Sequence, residues 1–297
     1  MAARPQVAIV GPGKVGATLA LELARAGYVI REVISRNGNS SLQKAAGLAR
    51  RVRARAATIE QASWDANIVW LCVPDGSIAA VARDLAPRTR WSGKVVFHSS
   101  GALSSDALDA LRERGAAVAS VHPLMTFVKG SKPSLQGVPF GVEGDAAAVR
   151  SARRVVRDLG GEVFRVRKKR KTAYHAWGTF ASPLLLAALV AAEQVARRAG
   201  ISATSARRKM LPIVRQTLAN YAALGPAGAF SGPIVRGDVA IVRKHLAALK
   251  DAPELQEAYR ALAKVALRYL PARNRREQSS VFSRRSSGKS VRSRAAD

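Results

Sequence analysis

The sequence predicts an α/β fold with a mostly parallel, doubly wound sheet, followed by an all-helical C-terminal domain. Strand-like and helix-like segments alternate through the first half of the 297 residues, which is typical of a parallel sheet covered by helices. From Lys171 onward the apolar residues recur at helical spacing, and no strand signal returns. We therefore expect a sheet domain over residues 1–168, a helical domain over 169–271 and a disordered basic tail over 272–297.

Each element follows from the local apolar pattern and the turn residues that bound it. Short apolar runs predict strands at 6–10, 29–34, 56–59, 67–73, 94–98, 117–121, 139–143 and 162–166. Amphipathic runs between them predict helices at 14–26, 40–54, 77–86, 104–114 and 145–159. Longer helices are expected at 172–199, 204–223, 236–250 and 254–269, separated by glycine- and proline-containing turns.

Composition bounds the class of protein. The chain is 48% hydrophobic, enough to bury a full core, and its single cysteine, Cys72, excludes an internal disulfide. The first strand begins too early for a signal peptide. The apolar stretch 180–192 is interrupted by Ser182-Pro183 and is expected to be too short to span a bilayer. We therefore expect a cytoplasmic protein without a membrane partner.

The net charge of +29 raises the possibility of nucleic-acid binding. Basic residues concentrate at 165–171 and in the tail, which has eight Arg or Lys against Glu277 and Asp297 and little apolar content to fold around. The basic segments lack the interleaved aromatic residues of a base-stacking surface. We expect a solvated surface that also favours anionic cofactors and substrates; the alternative is nucleic-acid association that is at most weak and non-specific.

The most informative motif lies at the first strand. Four apolar residues at 7–10 run into Gly11-x-Gly13-x-x-Gly16, and an amphipathic helix follows. This is the context of the dinucleotide-binding turn of a Rossmann domain, in which backbone N–H groups at the helix N-terminus bind a pyrophosphate. The alternative is a purely structural turn. We predict a bound dinucleotide, held by Gly11, Gly13, Lys14, Val15 and Gly16.

The end of the second strand indicates which dinucleotide. It reads Ser35-Arg36-Asn37, whereas an NAD enzyme normally has an acid here for the ribose 2′-hydroxyl. The Arg36 guanidinium matches a 2′-phosphate, and Ser35 and Asn37 have no charge to repel one. Although Arg36 could also be a solvated turn residue, the pattern favours NADP.

Three further polar clusters follow strands of the predicted sheet. Val73 and Pro74 end the fourth strand, where Pro74 would flank the nicotinamide ribose, and Asp75 would cap the next helix. Ser99, Ser100 and Gly101 follow the fifth strand and suit the nicotinamide amide or a substrate carboxylate; a strand-to-helix turn with serine capping is the alternative. His122, near the end of the sixth strand, is a candidate active-site residue, with a structural histidine as the alternative.

These motifs, together with His122-Pro-Leu-Met-Thr-Phe127 and Gly232-Pro-Ile-Val-Arg-Gly-Asp238, resemble a known group over residues 5–270. The chain resembles the uncharacterised Rossmann-like oxidoreductases whose C-terminal half is domain of unknown function 2520. That group is similar to pyrroline-5-carboxylate reductase and the β-hydroxyacid dehydrogenases. The resemblance implies NADP-dependent oxidation or reduction of a small metabolite and a helical second domain that often dimerises.

The resemblance also implies residues for the second half of the site. β-Hydroxyacid dehydrogenases have a catalytic Lys and Asn about one turn apart at the start of the first long helix, where this chain has Lys171 and His175. A solvated Lys171 is the alternative. Arg236 and Asp238 fit a pocket for a substrate carboxylate, although Asp238 could instead form an internal helix-capping salt bridge.

Together these expectations describe an NADP-dependent oxidoreductase that transfers hydride to or from a small carboxylate-bearing metabolite of keto or imino acid type. His122, Lys171 or His175 would supply the proton, and no metal is expected. A homodimer through the helical domain is expected. The alternative function is an NADP(H)-binding sensor or scaffold without turnover, because the usual Lys–Asn pair is incomplete.

Overall fold

The computed structural model describes residues 4–128, 130–131, 133–269 and Phe282, and it is built on one eight-stranded sheet. The strand order is β3-β2-β1-β4-β5-β6-β7-β8, and pairing is parallel except between β6 and β7. The fold class predicted from sequence and all eight predicted strands are confirmed. The strands are β1 (Val7–Val10), β2 (Ile30–Ser35), β3 (Arg55–Thr58), β4 (Ile68–Leu71), β5 (Val95–His98), β6 (Ala117–Pro123), β7 (Pro139–Gly144) and β8 (Glu162–Arg165).

The strand order reverses between β1 and β4, so that the chain leaves β1 toward one side of the sheet and β4 toward the other. Open α/β sheets bind ligands at this switch point, beyond the carboxyl ends of the strands. Val10 pairs with Leu71, Leu71 with His98, and His98 with Ser120. The carboxyl ends of β1, β4, β5 and β6 therefore lie side by side at one edge, which we call the carboxyl edge.

Helices cover both faces of the sheet because the strands are apolar on both sides. One core cluster includes Leu19, Leu48 and Val155 from three helices, and the other includes Ile78 and Leu111 on the opposite face. The helices of this half are α1 (Lys14–Arg25), α2 (Asn39–Val52), α3 (Asp75–Leu85), α4 (Asp109–Arg112), which follows a 3₁₀ turn (Ser105–Leu108), and α5 (Ala146–Asp158).

The rest of the described chain is helical. After a 3₁₀ turn (Lys168–Arg170) come α6 (Lys171–Thr179), a π-helical turn (Phe180–Leu184), α7 (Leu185–Arg198), α8 (Ala203–Ala229), α9 (Pro233–Arg236), α10 (Val239–Ala248) and α11 (Pro253–Leu267). Non-helical backbone at Gly225 interrupts α8. The chain divides into two compact units, one ending at Ser182 and the other beginning at Pro183. Since α6 lies in the first unit, this division falls later than the predicted boundary at 168/169.

The stretch Lys168–Arg198 is continuous in the structure, which corrects one expectation. It has 31 residues, its most apolar 18-residue window has a mean hydropathy of 1.5, and by length and composition it could cross a bilayer. The prediction that Ser182-Pro183 makes this stretch too short is wrong, because a π-helical turn absorbs Pro183 without ending the helix. Length and composition do not distinguish a membrane span from a helix that buries its apolar face against protein.

Phe282 differs from the prediction made for the basic tail. Its side chain is only 2% exposed and lies in a core cluster with Val242, Leu246, Ala263 and Leu267. This part of the predicted disordered segment therefore contributes to the core of the second unit. The other tail residues lie outside the described part of the chain.

Candidate active site

The glycine turn between β1 and α1 has the geometry that a bound diphosphate requires. Gly11 has φ of +102°, and a Cβ there would lie 2.6 Å from the Cys72 carbonyl oxygen. A Cβ at Gly16 would lie 2.1 Å from the Gly11 carbonyl oxygen, so both positions need glycine. A Cβ at Gly13 would meet no described protein atom within 4 Å, and Gly13 precedes the N-terminus of α1. The turn thus leaves open space where backbone N–H groups can bind an anion.

The loops beside this turn come from the neighbouring strands. The Val73 side chain lies 3.2 Å from the position of a Cβ at Gly11, and exposed Pro74 follows it. The Ser99 hydroxyl accepts a hydrogen bond from the Trp70 indole at 2.9 Å. The structure therefore brings Val73 and Pro74 to the glycine turn, while Ser99 is anchored to the sheet at the same carboxyl edge.

Arg36 is exposed directly after β2, where its Nε donates to the Ser41 hydroxyl at 3.3 Å. Ser35 is buried, and its hydroxyl donates to the Arg36 carbonyl oxygen. The one acid of β2, Glu32, is buried and accepts from the Arg55 side chain and the Ser63 amide. No carboxylate thus occupies the end of β2, and a guanidinium stands there instead.

The loop after β5 is held together by its own polar groups. The His98 imidazole is buried. Its Nδ1 accepts a hydrogen bond from the Ser100 amide, and its Nε2 donates one to the Ser104 carbonyl oxygen. Burial lowers the pKa of His98 to about 4, so the ring is neutral. The Ser100 hydroxyl donates to Asp75 at 2.8 Å and accepts from the amides of Ala102 and Leu103. Ser100 therefore uses its hydroxyl to shape the loop.

Lys171, the first residue of α6, is buried beneath this loop. Only 2% of the residue is exposed, and its ammonium donates to the Ser100 carbonyl oxygen at 3.0 Å and the Ser120 hydroxyl at 2.7 Å. Burial lowers its pKa to about 8, although Glu143 and Asp75 oppose this shift. The alternative of a solvated lysine is therefore excluded. The hydrogen bonds of the ammonium join α6 to the loop after β5 and to β6.

The side chains of His122 and Tyr174 are hydrogen-bonded to each other, and both carry groups that can transfer a proton. His122 Nδ1 lies 2.6 Å from the Tyr174 hydroxyl oxygen, and the rings meet edge to face. Burial, with nearby Lys171, lowers the pKa of His122 to about 4, and burial raises the pKa of Tyr174 to about 12. Since the Tyr174 oxygen also bonds the Gly141 backbone, we assign Tyr174 as donor to Nδ1. This assignment leaves the His122 proton on Nε2.

Gly101 brings His122 and His175 together. A Cβ at Gly101 would lie 2.8 Å from His122 Nε2 and 2.7 Å from His175 Cδ2, so no larger residue fits. His175 is exposed, and its ring centroid lies 6.3 Å from that of His122. The protonated Nε2 of His122 thus lies beside Gly101, which also lies against the His175 ring.

Tyr174, Ser120 and Glu143 were not identified from the sequence as site residues. Tyr174 could have been found, because it lies three positions after Lys171 and so shares a helix face with it. Ser120 and Glu143 could not, because their contacts with Lys171 and Ser105 join segments that are remote in sequence.

Arg236 and Asp238 lie in the second unit, where the guanidinium pairs with the carboxylate at 2.9 Å. The Asp238 side chain makes no capping hydrogen bond to α10. Their part in substrate binding stays a prediction. Among the described residues, no group of three or more His, Cys, Asp or Glu side chains could hold a metal ion.

An open sheet with a glycine turn at its switch point defines a Rossmann-like protein, and residues 1–123 match the model of the Rossmann-like domain. Residues 138–266 match the domain of unknown function DUF2520. The chain therefore combines a Rossmann-like domain with a DUF2520 domain, as the sequence motifs predicted. No curated protein matches the chain significantly.

Solved structures share this fold over nearly the whole chain. A Bacteroides fragilis protein described as an NADP oxidoreductase has a TM-score of 0.74 at 20% identity, covering 88% of this chain and 97% of its own. An Aspergillus terreus reductive aminase, solved with NADPH and ethyl-5-oxohexanoate, has a TM-score of 0.66 at 19% identity, covering 90% of this chain and 94% of its own. A Coxiella burnetii pyrroline-5-carboxylate reductase has a TM-score of 0.58 at 14% identity, covering 90% of this chain and 99% of its own. At these identities the likeness is one of fold.

Proposed function

We propose that this protein is an NADP(H)-dependent oxidoreductase that transfers hydride to or from the C=O or C=N carbon of a small keto or imino acid. One juxtaposition carries the proposal. The open turn at Gly13 lies at the same carboxyl edge as the His122–Tyr174 pair. An anion-binding turn and a hydrogen-bonded proton donor at one edge are what hydride transfer needs from a protein.

The structural neighbours support this class of substrate. The reductive aminase was solved with NADPH and a keto ester, and pyrroline-5-carboxylate reductase is named for a cyclic imine that carries a carboxylate. A strongly basic chain favours an anionic substrate of this kind.

Each part of the cofactor has candidate residues in the first unit. The bound nicotinamide cofactor would supply the hydride. Arg36 would pair with the 2′-phosphate. Ser35 would hold the backbone of Arg36 in place through its hydrogen bond to the Arg36 carbonyl oxygen. The diphosphate would be held by Gly11, Gly13, Lys14, Val15 and Gly16, and the nicotinamide half by Val73, Pro74 and Ser99.

The proton would come from His122 and Tyr174 acting together. Neutral His122 would give its Nε2 proton to the developing alkoxide oxygen or amine nitrogen of the substrate, while its Nδ1 takes the hydroxyl proton of Tyr174; the resulting tyrosinate would regain a proton from solvent. Both groups are uncharged at neutral pH, so each holds the proton that this step uses. His175, on the exposed side of His122, is the second candidate donor.

Lys171 would act as a positioning residue. A proton donor must reach the substrate, whereas the Lys171 ammonium is buried on Ser100 and Ser120. By fixing the Ser100 carbonyl it would hold the Ser99–Gly101 loop, whose Gly101 backbone could then meet a substrate carboxylate.

We also propose that the protein is a homodimer through its helical half. Many apolar side chains of α7 and α8 are exposed, among them Leu186 at 61%, Ile213 at 68% and Leu218 at 50%. Exposed apolar surface on this scale marks a site of protein or membrane interaction, and a second copy of the helical half would cover it. Light scattering in detergent-free buffer tests the proposal. A monodisperse dimer supports it, whereas a monomer, or extraction only with detergent, contradicts it.

The activity is tested by following NADPH oxidation with a panel of 2-keto acids, with and without ammonia, and cyclic imino acids. The matched variant is Gly13→Val, because its side chain meets no protein atom and its backbone is extended, so the fold is retained while the diphosphate position is filled. Wild type should bind and oxidise NADPH, and Gly13→Val should do neither. Binding without turnover on the whole panel would favour the sensor alternative, and no binding by wild type would refute the proposal.

A further inference from the structure

A second concave surface lies between α5 and β8, and none of the predicted cofactor, substrate or catalytic residues lines it. We call it the α5–β8 groove. Its volume is about 1010 Å³, and all its lining residues fall within 142–168 of the first unit. Its apolar lining consists of Ala146 and four valines, and its exposed charged residues are all basic. The valines are Val142, Val149, Val163 and Val166, and the basic residues are Arg150, Arg153, Arg165, Arg167 and Lys168.

The positive charge of this groove is not neutralised within the protein. Lys168 pairs with Asp106 at 2.5 Å, but in the part of the chain that the structure describes the side chains of the four arginines form no hydrogen bond or ion pair. The acid that lines the groove, Glu143, is buried and accepts from the Ser105 amide and hydroxyl. Four free guanidiniums therefore share one concave surface.

This arrangement differs from that of the paired arginines in the same unit. Arg112 pairs with Asp109 of its own helix, and Arg88, which follows α3, pairs with Asp84 of that helix. Like charges gathered in a cleft repel each other and create a strong positive potential, which a bound anion relieves. The groove therefore has the electrostatics of an anion site.

The arginines lie in two pairs on two elements. Arg150 and Arg153 are one turn apart on α5, so they share a helix face. Arg165 ends β8 and Arg167 follows in extended conformation, so the two alternate positions point to one side. Because the guanidinium fork matches phosphate oxygens, each pair can hold one phosphate group.

The size and lining define the ligand further. About 1010 Å³ is at the upper end for small-molecule sites, too large for a lone ion, and the valines offer a surface for a carbon body. No aromatic side chain lines the groove, so bases would find no stacking partner. We propose that the α5–β8 groove binds a small organic molecule with two or more phosphate groups, at a site separate from the NADP turn.

Calorimetry on the full chain tests this proposal, with saturating NADPH present to occupy the dinucleotide turn. The probes are hexanediol bisphosphate, inorganic phosphate and a single-stranded oligothymidylate. The groove variant is Arg153→Ser with Arg165→Ser, one arginine from each pair. The charge-matched control is Arg50→Ser with Arg51→Ser, two exposed arginines on α2.

Hexanediol bisphosphate should bind wild type with one site per chain and about tenfold or more tighter than phosphate. The groove variant should lose about tenfold or more in affinity, while the control stays within about twofold. Equal affinities in all three proteins, or no binding to wild type, would overturn the proposal. The proposal would also be overturned if oligothymidylate bound wild type but not the groove variant while hexanediol bisphosphate bound neither. Unchanged NADPH affinity shows that the variants are folded, and if NADPH binds none of them, the bisphosphate comparison still decides the groove.

Discussion

Nδ1 of His122, on β6, lies 2.6 Å from the hydroxyl oxygen of Tyr174, on α6. The two residues are 52 positions apart in sequence, and the bond joins the sheet to the first helix after it. Because burial keeps both groups uncharged at neutral pH, the pair can pass a proton without first losing or gaining one. The predictions about turnover depend on this relationship.

Tyr174→Phe should reduce kcat about 10²- to 10⁴-fold, the usual contribution of general acid catalysis. NADPH affinity and KM should change little, because the phenylalanine keeps the ring and its packing. Steady-state kinetics on the substrate found in the screen measure the effect. Tyr221→Phe, at a 60% exposed position, serves as the control. If Tyr174→Phe keeps full kcat while His175→Ala loses it, the proton comes from His175.

Arg36→Ala should remove the preference for NADPH over NADH. A charge-assisted contact with the 2′-phosphate contributes about 1.5–3 kcal/mol, or about 10- to 150-fold in affinity. Fluorescence titration of both cofactors measures it. The control is Arg31→Ala, an exposed arginine on β2, the strand that precedes Arg36. Equal affinities of the wild type for the two cofactors would refute the NADP assignment.

Lys171→Met should change how stability depends on pH. The folded pKa of Lys171, about 8, is lower than its ordinary 10.5, so the folded state opposes the charged form. Burial of the charged ammonium destabilises the folded state by about 3 kcal/mol below pH 8. This destabilisation falls as the pH rises from 8 to 10.5. The free energy of unfolding of wild type should therefore rise over this interval relative to Lys171→Met.

Urea unfolding at pH 7.5 and about pH 10 measures this difference, with Lys250→Met at an exposed position as the control. A parallel pH dependence for wild type and Lys171→Met would mean that Lys171 is solvated. The kinetics of Lys171→Met distinguish positioning from proton donation. A positioning role predicts a raised KM with some kcat retained, whereas donation predicts loss of kcat alone.

Phe282→Ala should destabilise the second unit by about 3–5 kcal/mol, since the side chain is 2% exposed in a core cluster. Thermal unfolding measures the change, and Phe180→Ala, at a 67% exposed position, should shift it little. Removal of residues 272–297 should then cost at least as much as Phe282→Ala. A truncated protein as stable as wild type would instead support the predicted disordered tail.

Local sequence patterns were enough to predict the eight strands, the glycine turn, the guanidinium at the end of β2 and the helical second half. These features are local: an apolar run, a glycine spacing or a helical period is complete within a few residues. The sequence also placed His122 at a strand end, because parallel strands end at a common edge.

How these elements come together became known from the three-dimensional structure. It reversed the direction of β7 against β6, continued the helix through Pro183 and buried Lys171 on Ser100 and Ser120. It also set Tyr174 on His122 and gathered four arginines of α5 and the β8 segment around one groove. Apart from the helix that continues through Pro183, each of these depends on separate segments that meet only when the core forms. Periodicity and spacing along one segment contain no information about such meetings, so burial, pairing and charge clustering had to be read from the fold.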